Sequence, residues 1–246
     1  IAMTRFPFGF VGGILPSMLI EVFADVVCPW CYIGKHRLER ALEERRLRDV
    51  TIKWLPFQLN PDMIASGMER SAYLTLKFGS RERALQVSSM LEQTAERDGL
   101  PLDLDAIQRT PNTVDAHRMI RLAARHNVEA GMVNALFEAY FVLGLDISDH
   151  EILAELAAEL GINEQDALGY LAGHDDAAAV RNSDIRARRL GIHAVPCFII
   201  DQRYALAGAH DPETFSPLFD LAAIGGLNGQ DQASGLIDQM ASLSFR

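Results

Sequence analysis

Residues Cys28-Pro29-Trp30-Cys31 stand where one kind of backbone gives way to another, and that junction limits the fold more than any other feature of the chain. Upstream, Met18-Leu19-Ile20-Glu21-Val22-Phe23-Ala24 is short, apolar and rich in β-branched and aromatic residues, which predicts a buried strand. Downstream, Tyr32 to Leu47 carries Ile33, Leu38, Ala41 and Leu42 at helical spacing, with Lys and Arg gathering toward the end. The tetrad therefore opens a helix, with Cys28 near its N-terminus. Free backbone N–H groups and the helix dipole favour an anion there, and the reactive form of cysteine is the anionic thiolate. The second thiol lies about one helical turn on, within reach of the first for a disulfide. Residue type, spacing and placement together point to thiol–disulfide exchange.

Two plainer uses of the pair fit less well. A tetrahedral structural zinc site needs four ligands, usually a second such pair. The remaining cysteine, Cys197, is far away in sequence and has no histidine at ligand spacing, so no metal is expected. A purely structural disulfide is unneeded in a chain of 246 residues, which can bury a full core, and no wider cysteine framework is present. A net charge of −10 argues against a nucleic-acid backbone or an anionic membrane as partner. No apolar run approaches the length of a membrane span.

Residues 1–17 faintly resemble a signal peptide, but Pro7, Gly9, Gly12 and Gly13 break the apolar stretch and Arg5 is its whole basic region. They are read as an N-terminal extension, with the folded part beginning near Met18. Three cysteines agree with a reducing compartment, so a cytoplasmic location is expected.

Farther along, Val50 to Phe57 alternates as a second strand, with Pro56 near its end. From about Met68 to Ala178 the pattern is helical. Segments are predicted for Arg83–Asp98, for Asn112 or Thr113 to His126, for Ala130–Leu143 and for Asp149–Leu160, with Asn163 and Asp175 able to cap two more. Strand character returns at Val195–Ile200, followed by a turn at Asp201-Gln202, a partner strand Tyr204–Ala207 and a last helix from about Pro212 to Ile224. Beyond Gly225-Gly226 the tail is Gly-, Gln- and Ser-rich and weakly patterned. The economical arrangement is one α/β layer domain in two parts, 18–61 and 179–224, split by a helical insertion at 62–178 and followed by a tail at 225–246.

Five segments, in order, resemble the DsbA-like branch of the thioredoxin superfamily, and within it FrnE-like dithiol oxidoreductases. They are Asp25–Lys35 around the CPWC tetrad, Thr110–Arg118, Leu136–Phe141, Ala194–Phe198 and Tyr204–Ala209. The likeness spans about Met18 to Ile224. It implies a thioredoxin fold of four or five strands interrupted by an all-helical insertion domain. It also implies that Pro196 is cis and faces the tetrad, so that the Val195 backbone pairs with an extended substrate.

On this resemblance Cys28 is the exposed attacking nucleophile and Cys31 the more buried resolving thiol. Pro29 and Trp30 tune the pair. Pro29 suits a first helical turn, and Trp30 brings no positive charge of the kind a histidine there would supply. Val195, Asn112, His117, Gly208, Ala209 and His210 are expected around substrate or glutathione, the last three offering backbone N–H groups to a carboxylate. No permanently bound cofactor is expected; glutathione is a redox partner to consider, the substrate is a disulfide or dithiol protein or small molecule, and a homodimer stays open. Many relatives carry a buried carboxylate six residues before the first cysteine, where this chain has Val22. Asp25 reads instead as a strand-end turn residue, and Lys35 as part of a solvated helix face. Cys197 reads as a small buried strand thiol. The more distant likeness to 2-hydroxychromene-2-carboxylate isomerases and kappa-class glutathione transferases offers a glutathione-dependent isomerase or transferase as an alternative. Those enzymes typically have Ser at the Cys28 position and lack the second cysteine. A non-catalytic binding module is the third possibility.

Overall fold

The computed structural model describes residues 18–225; the expected extension 1–17 and the tail from 226 lie outside the described residues. Its centre is strand β1 (Met18–Ala24), flanked on one side by β2 (Val50–Pro56) and on the other by β5 (Cys197–Ile200), with β6 (Tyr204–Ala207) at the edge. β1 runs parallel to β2, from Met18 opposite Val50 to Ala24 opposite Pro56. It runs antiparallel to β5, with Phe23 opposite Cys197, and β6 closes the hairpin with Cys197 opposite Ala207. A strand with a neighbour on each side and layers on both faces reads as a near-continuous apolar run, interrupted here at the partly buried Glu21. Ile20 and Val22 are fully buried accordingly.

The parallel β1–β2 pair needs a crossover, supplied by helix α1 (Pro29–Glu44). The helix stops three residues short of Leu47, at a cap where Arg45 and Arg46 bond back to the last turn. In the β5–β6 turn Asp201 and Gln202 both take positive φ, 49° and 56°. Asp201 holds this turn against β1: its carboxylate accepts the Leu19 amide at 2.8 Å and its own amide donates to the Leu19 carbonyl at 2.8 Å.

Between β2 and β5 run helices α2 (Arg70–Phe78), α3 (Arg81–Asp98), α4 (Val114–Arg125), α5 (Glu129–Phe141), α6 (His150–Glu159), α7 (Glu164–Ala172) and α8 (Ala177–Arg189). Ser80, Asp149 and Asn163 cap α3, α6 and α7 through their side chains. Asp175 does not cap α8. Asp176 holds that position at φ 62°, its carboxylate taken by Tyr170 and Arg121. The insertion is also not purely helical: β3 (Met68–Glu69) and β4 (Arg109–Thr110) form a two-residue antiparallel pair tying both ends of the α2–α3 hairpin together. Strands this short carry no periodicity, so the sequence pattern passes over them. Met119 on α4 with Met132, Leu136 and Tyr140 on α5 are fully buried and join the insertion to the sheet in one core. The described residues end in a 3₁₀ turn at Pro212–Thr214 and helix α9 (Ser216–Gly225), two elements where one helix is predicted.

Candidate active site

Cys28 is the N-cap of α1, with extended backbone at φ −91° and ψ 111°. Its amide donates to the Asp25 carbonyl at 3.0 Å, and its carbonyl accepts the Cys31 amide at 2.9 Å. Pro29 fills the first helical position, where a missing N–H costs nothing. No acidic side chain stands in the first turn to oppose the helix dipole. The two thiols lie 3.3 Å apart, unbonded.

The expectation of an exposed Cys28 does not hold: the residue is 4% accessible. The reason is the segment before β5, which folds over the helix start. The Cys28 thiol donates to the Val195 carbonyl at 3.7 Å. The Val195–Pro196 peptide is cis. Pro196 rests on Gly34 so closely that a Cβ built there would stand 2.7 Å from the proline Cγ. Cys31 is sealed entirely. Burial pushes its thiol well above the usual range, and the neighbouring Cys28 adds to the rise. Trp30 is half-buried against the core, and Tyr32, one turn past Cys28, stacks on Phe141 with ring centres 5.4 Å apart. A groove of about 260 Å³ opens along α1 between Tyr32, Lys35, His36, Glu39 and Glu138.

The other residues expected around a ligand do not converge on one surface. Asn112 is engaged by the backbone, donating to the Met63 carbonyl at 2.6 Å and accepting the Val114 amide at 2.9 Å. The Gly208 amide donates to the Pro196 carbonyl at 2.7 Å, and the Ala209 carbonyl accepts from Arg37 at 2.6 Å. His210 is exposed, its ring on the Ala207 carbonyl. His117 is buried within α4 and meets Asp25, not solvent. Cys197 is buried too. Its neighbours Pro196 and Phe198 both face Gly34 on α1, so strand alternation turns Cys197 to the other face of the sheet.

Asp25 does stand at a strand-end turn, its carbonyl accepting the Cys28 amide at 3.0 Å, but it is fully buried, with one carboxylate oxygen accepting the Leu59 amide at 2.7 Å. Its backbone also hydrogen-bonds to the Cys31 sulfur. The residues after it are apolar and buried (Val26, Val27), which closes the strand end over the carboxylate. Lys35 is buried, not solvated, its ammonium held by both Glu39 oxygens at 2.7 Å. A third buried charge escaped the sequence reading altogether. Arg37 bonds Asp98 at 2.5 Å, the Ala209 carbonyl and Asp211, joining α1 to α3 and to the segment before the last helix. A lone Arg on an amphipathic helix gives no signal of such a role. Among the described residues no group of three His, Cys, Asp or Glu side chains is placed to hold a metal ion, and no helix is long and apolar enough to cross a membrane.

Comparison with known proteins agrees with this arrangement. The chain is 28% identical over 198 residues to the uncharacterized protein YwbO of Bacillus subtilis, covering 80% of this chain and 92% of that one. A probable DsbA oxidoreductase of Streptomyces coelicolor superposes with a TM-score of 0.76 at 28% identity, over 88% of this chain and 93% of the other. The fold alone is shared with a 2-hydroxychromene-2-carboxylate isomerase (TM-score 0.61, 17% identity, 92% and 99% covered). The same holds for the cytosolic disulfide reductase DsbM of Pseudomonas aeruginosa (0.55, 18%, 92% and 100%). The DSBA-like thioredoxin domain matches residues 19–220, from β1 into α9, and the chain belongs to that family.

Proposed function

We propose that this protein is a thiol–disulfide oxidoreductase whose working pair is Cys28 and Cys31. The observation that carries the reading is the adjacency of two free thiols, 3.3 Å apart, at the dipole-positive end of a helix. The difference in burial sets the order of events. An incoming disulfide meets Cys28, reached by displacing the Val195 carbonyl from its sulfur. The Cys28 thiolate attacks one substrate sulfur and the other leaves as a thiolate. Cys31 then attacks Cys28, closing the internal disulfide and releasing the second substrate sulfur; oxidation of a dithiol substrate runs the same steps in reverse. The Val195 backbone lies beside the reacting sulfur and gives an extended substrate a strand to pair with. Glutathione is the small-molecule partner we assign, and the polar groove beside Tyr32 is the bed for the rest of a larger substrate. A cytoplasmic reductase, like DsbM in kind, is the setting the three-cysteine composition supports.

The test is turnover of a glutathione-linked disulfide by parent, Cys28→Ser and Cys31→Ser proteins, with mass spectrometry of the products. Cys28→Ser should lose all turnover. Cys31→Ser should stall as a one-to-one mixed disulfide on Cys28. Full turnover by Cys31→Ser would favour isomerase or transferase chemistry, which needs no second thiol, and would refute the dithiol mechanism.

A further inference from the structure

The groove along α1 starts at the thiol pair, and its charges do not cancel. Tyr32, Lys35 and Glu39 follow Cys28 at intervals of four, three and four residues, so they share the helix face that begins at the attacking sulfur. The second wall is α5, which contributes Asn134 and Glu138, one helical turn apart.

The basic groups of the groove are already engaged. Lys35 Nζ is held by both Glu39 oxygens at 2.7 Å. His36 Nε2 lies 3.1 Å from the Asp98 carbonyl. Glu138 is exposed, and among the described residues its carboxylate has no hydrogen bond or ion pair. Its charge is felt across the groove: burial pushes the Tyr32 phenol up, and the Glu138 carboxylate adds to the rise.

Glu138 also stands where an acid is out of place for stability. It lies in the last turn of α5, at the negative end of the helix dipole, where a cation is favoured. No basic residue occupies that turn. The helix pole and the carboxylate therefore reinforce one another in a concave space of about 260 Å³, a shape that concentrates the field of its walls.

We propose that this groove receives a lysine or arginine side chain of a polypeptide substrate, with the Glu138 carboxylate as its counter-charge. The Tyr32 hydroxyl and the Asn134 amide oxygen are further acceptors for the same cation. The inference rests on the dithiol reading above and names the substrate class: polypeptide disulfides with a basic residue close to the cysteine. The distance between the two follows from element geometry. Tyr32 and Lys35 lie about 6 and 10 Å along α1 from Cys28, at about 1.5 Å per residue. An extended substrate advances about 3.3 Å per residue, which sets the basic residue about two to four positions from the substrate cysteine. Because Glu39 holds Lys35, that ammonium does not compete for Glu138. Net-anionic glutathione gains nothing from the groove, so the preference is one among polypeptides. The protein's net charge of −10 favours any cationic substrate at long range, whereas the groove acts at a fixed distance from the cysteine.

The test uses short peptides whose single cysteine is a mixed disulfide with 2-nitro-5-thiobenzoate, and which carry lysine, glutamine or glutamate three residues to either side. Attack by Cys28 on the peptide sulfur releases the coloured aromatic thiolate, the better leaving group. At low salt the reduced parent should react with the lysine peptide at least fivefold faster than with the glutamate peptide, glutamine falling between. Sodium chloride at about 0.5 M should bring the ratio under twofold. Glu138→Gln should lower the low-salt ratio at least twofold, and Glu138→Lys should lower it further. Glu155→Gln removes the same charge from an exposed site on α6, outside the groove, and should leave the ratio as in the parent. Equal rates for the lysine and glutamate peptides in the parent would overturn the groove assignment. So would a preference that Glu138→Gln lowers no more than Glu155→Gln does. In either case the thiol chemistry would stand. Release of no thiolate from any of the peptides would overturn the disulfide-exchange reading and this inference with it.

Discussion

Gly34 offers a direct measure of how the segment before β5 is held on α1, and the expected effect can be worked from distances. An alanine there would gain about 1 kcal/mol of helix propensity over glycine. Its Cβ, however, would stand 2.7 Å from Pro196 Cγ, 3.3 Å from Phe198 Cζ and 3.4 Å from Ala209 Cβ. Ordinary carbon contacts lie near 3.5–4.0 Å, so Pro196 must retreat by about 1 Å. Neither a proline ring nor an aromatic ring packed on Phe215 can swing aside as a flexible chain end would. Overpacking of this kind costs roughly 1–3 kcal/mol, and with three atoms involved the upper part of that range applies. Gly34→Ala should therefore lose a net ~1–2 kcal/mol, which for a chain of this size lowers Tm by about 2–8 °C. Retreat of Pro196 also draws the Val195 carbonyl away from Cys28 Sγ, so alkylation of Cys28 should quicken at least twofold. The matched control is Gly169, inside α7 with nothing within 4 Å of its built Cβ. There alanine should stabilise, by up to about 1 kcal/mol. Thermal unfolding of both variants and timed iodoacetamide labelling of Cys28 supply the readouts. Equal stabilisation at the two glycines, with Cys28 labelling unchanged, would refute the claim that Gly34 exists to admit Pro196.

Arg37→Ala should be among the most damaging changes outside the site, since it leaves the Asp98 carboxylate, with 9% of its side chain accessible, without its cation. A loss of about 3–5 kcal/mol in urea unfolding is expected, and a loss under 1 kcal/mol would mean that water or another side chain replaces the guanidinium. Cys197 makes a pH-dependent contribution whose sign follows from its burial. Its thiol is pushed up to about 11 in the folded protein, so the folded state keeps a proton that the unfolded chain gives up near pH 9. That contribution is complete below about pH 9 and is lost as pH rises through 11. Cys197→Ala should therefore remove part of the alkaline fall in stability, on the order of 1–3 kcal/mol, while leaving disulfide exchange within twofold of the parent. A large loss of exchange activity would instead place this thiol in the redox cycle.

The legible parts of the fold are those where a short pattern is enforced by a single physical cause. β1 is readable to the residue because a central strand is a near-continuous apolar run, and Met18–Ala24 is one apart from the partly buried Glu21. The turn holding Asp201 and Gln202 is readable because two strand-like runs leave only residues 201–203 between them, and the first two of these take left-handed backbone. The start of α1 is legible from Pro29, which fits a first helical turn and little else. Its end is not: Arg45, Arg46 and Leu47 suit a helix well enough that only the observed cap bonds from Arg45 and Arg46 decide where the helix stops.

The candidate site divides along the same line. The cysteine pair is visible because its spacing and its neighbours on both sides belong to one stretch of chain. The surroundings that govern its chemistry come from elsewhere: the Val195 carbonyl from 167 residues away and His117 from the insertion. Sequence near Asp25 gives the strand-end turn but not the burial of its side chain. What carries it inward is the company it keeps. The next two residues are valines, each under 5% exposed, and burying them requires the carboxylate to go in with them. A charged residue carried inward by apolar neighbours must find partners or lose its charge. Here those partners are the Leu59 amide and His117, and the carboxylate's charge reaches the Cys31 thiol. An acid set in an apolar run just ahead of a cysteine pair is therefore read as a turn residue whose side chain is carried into the core behind the pair.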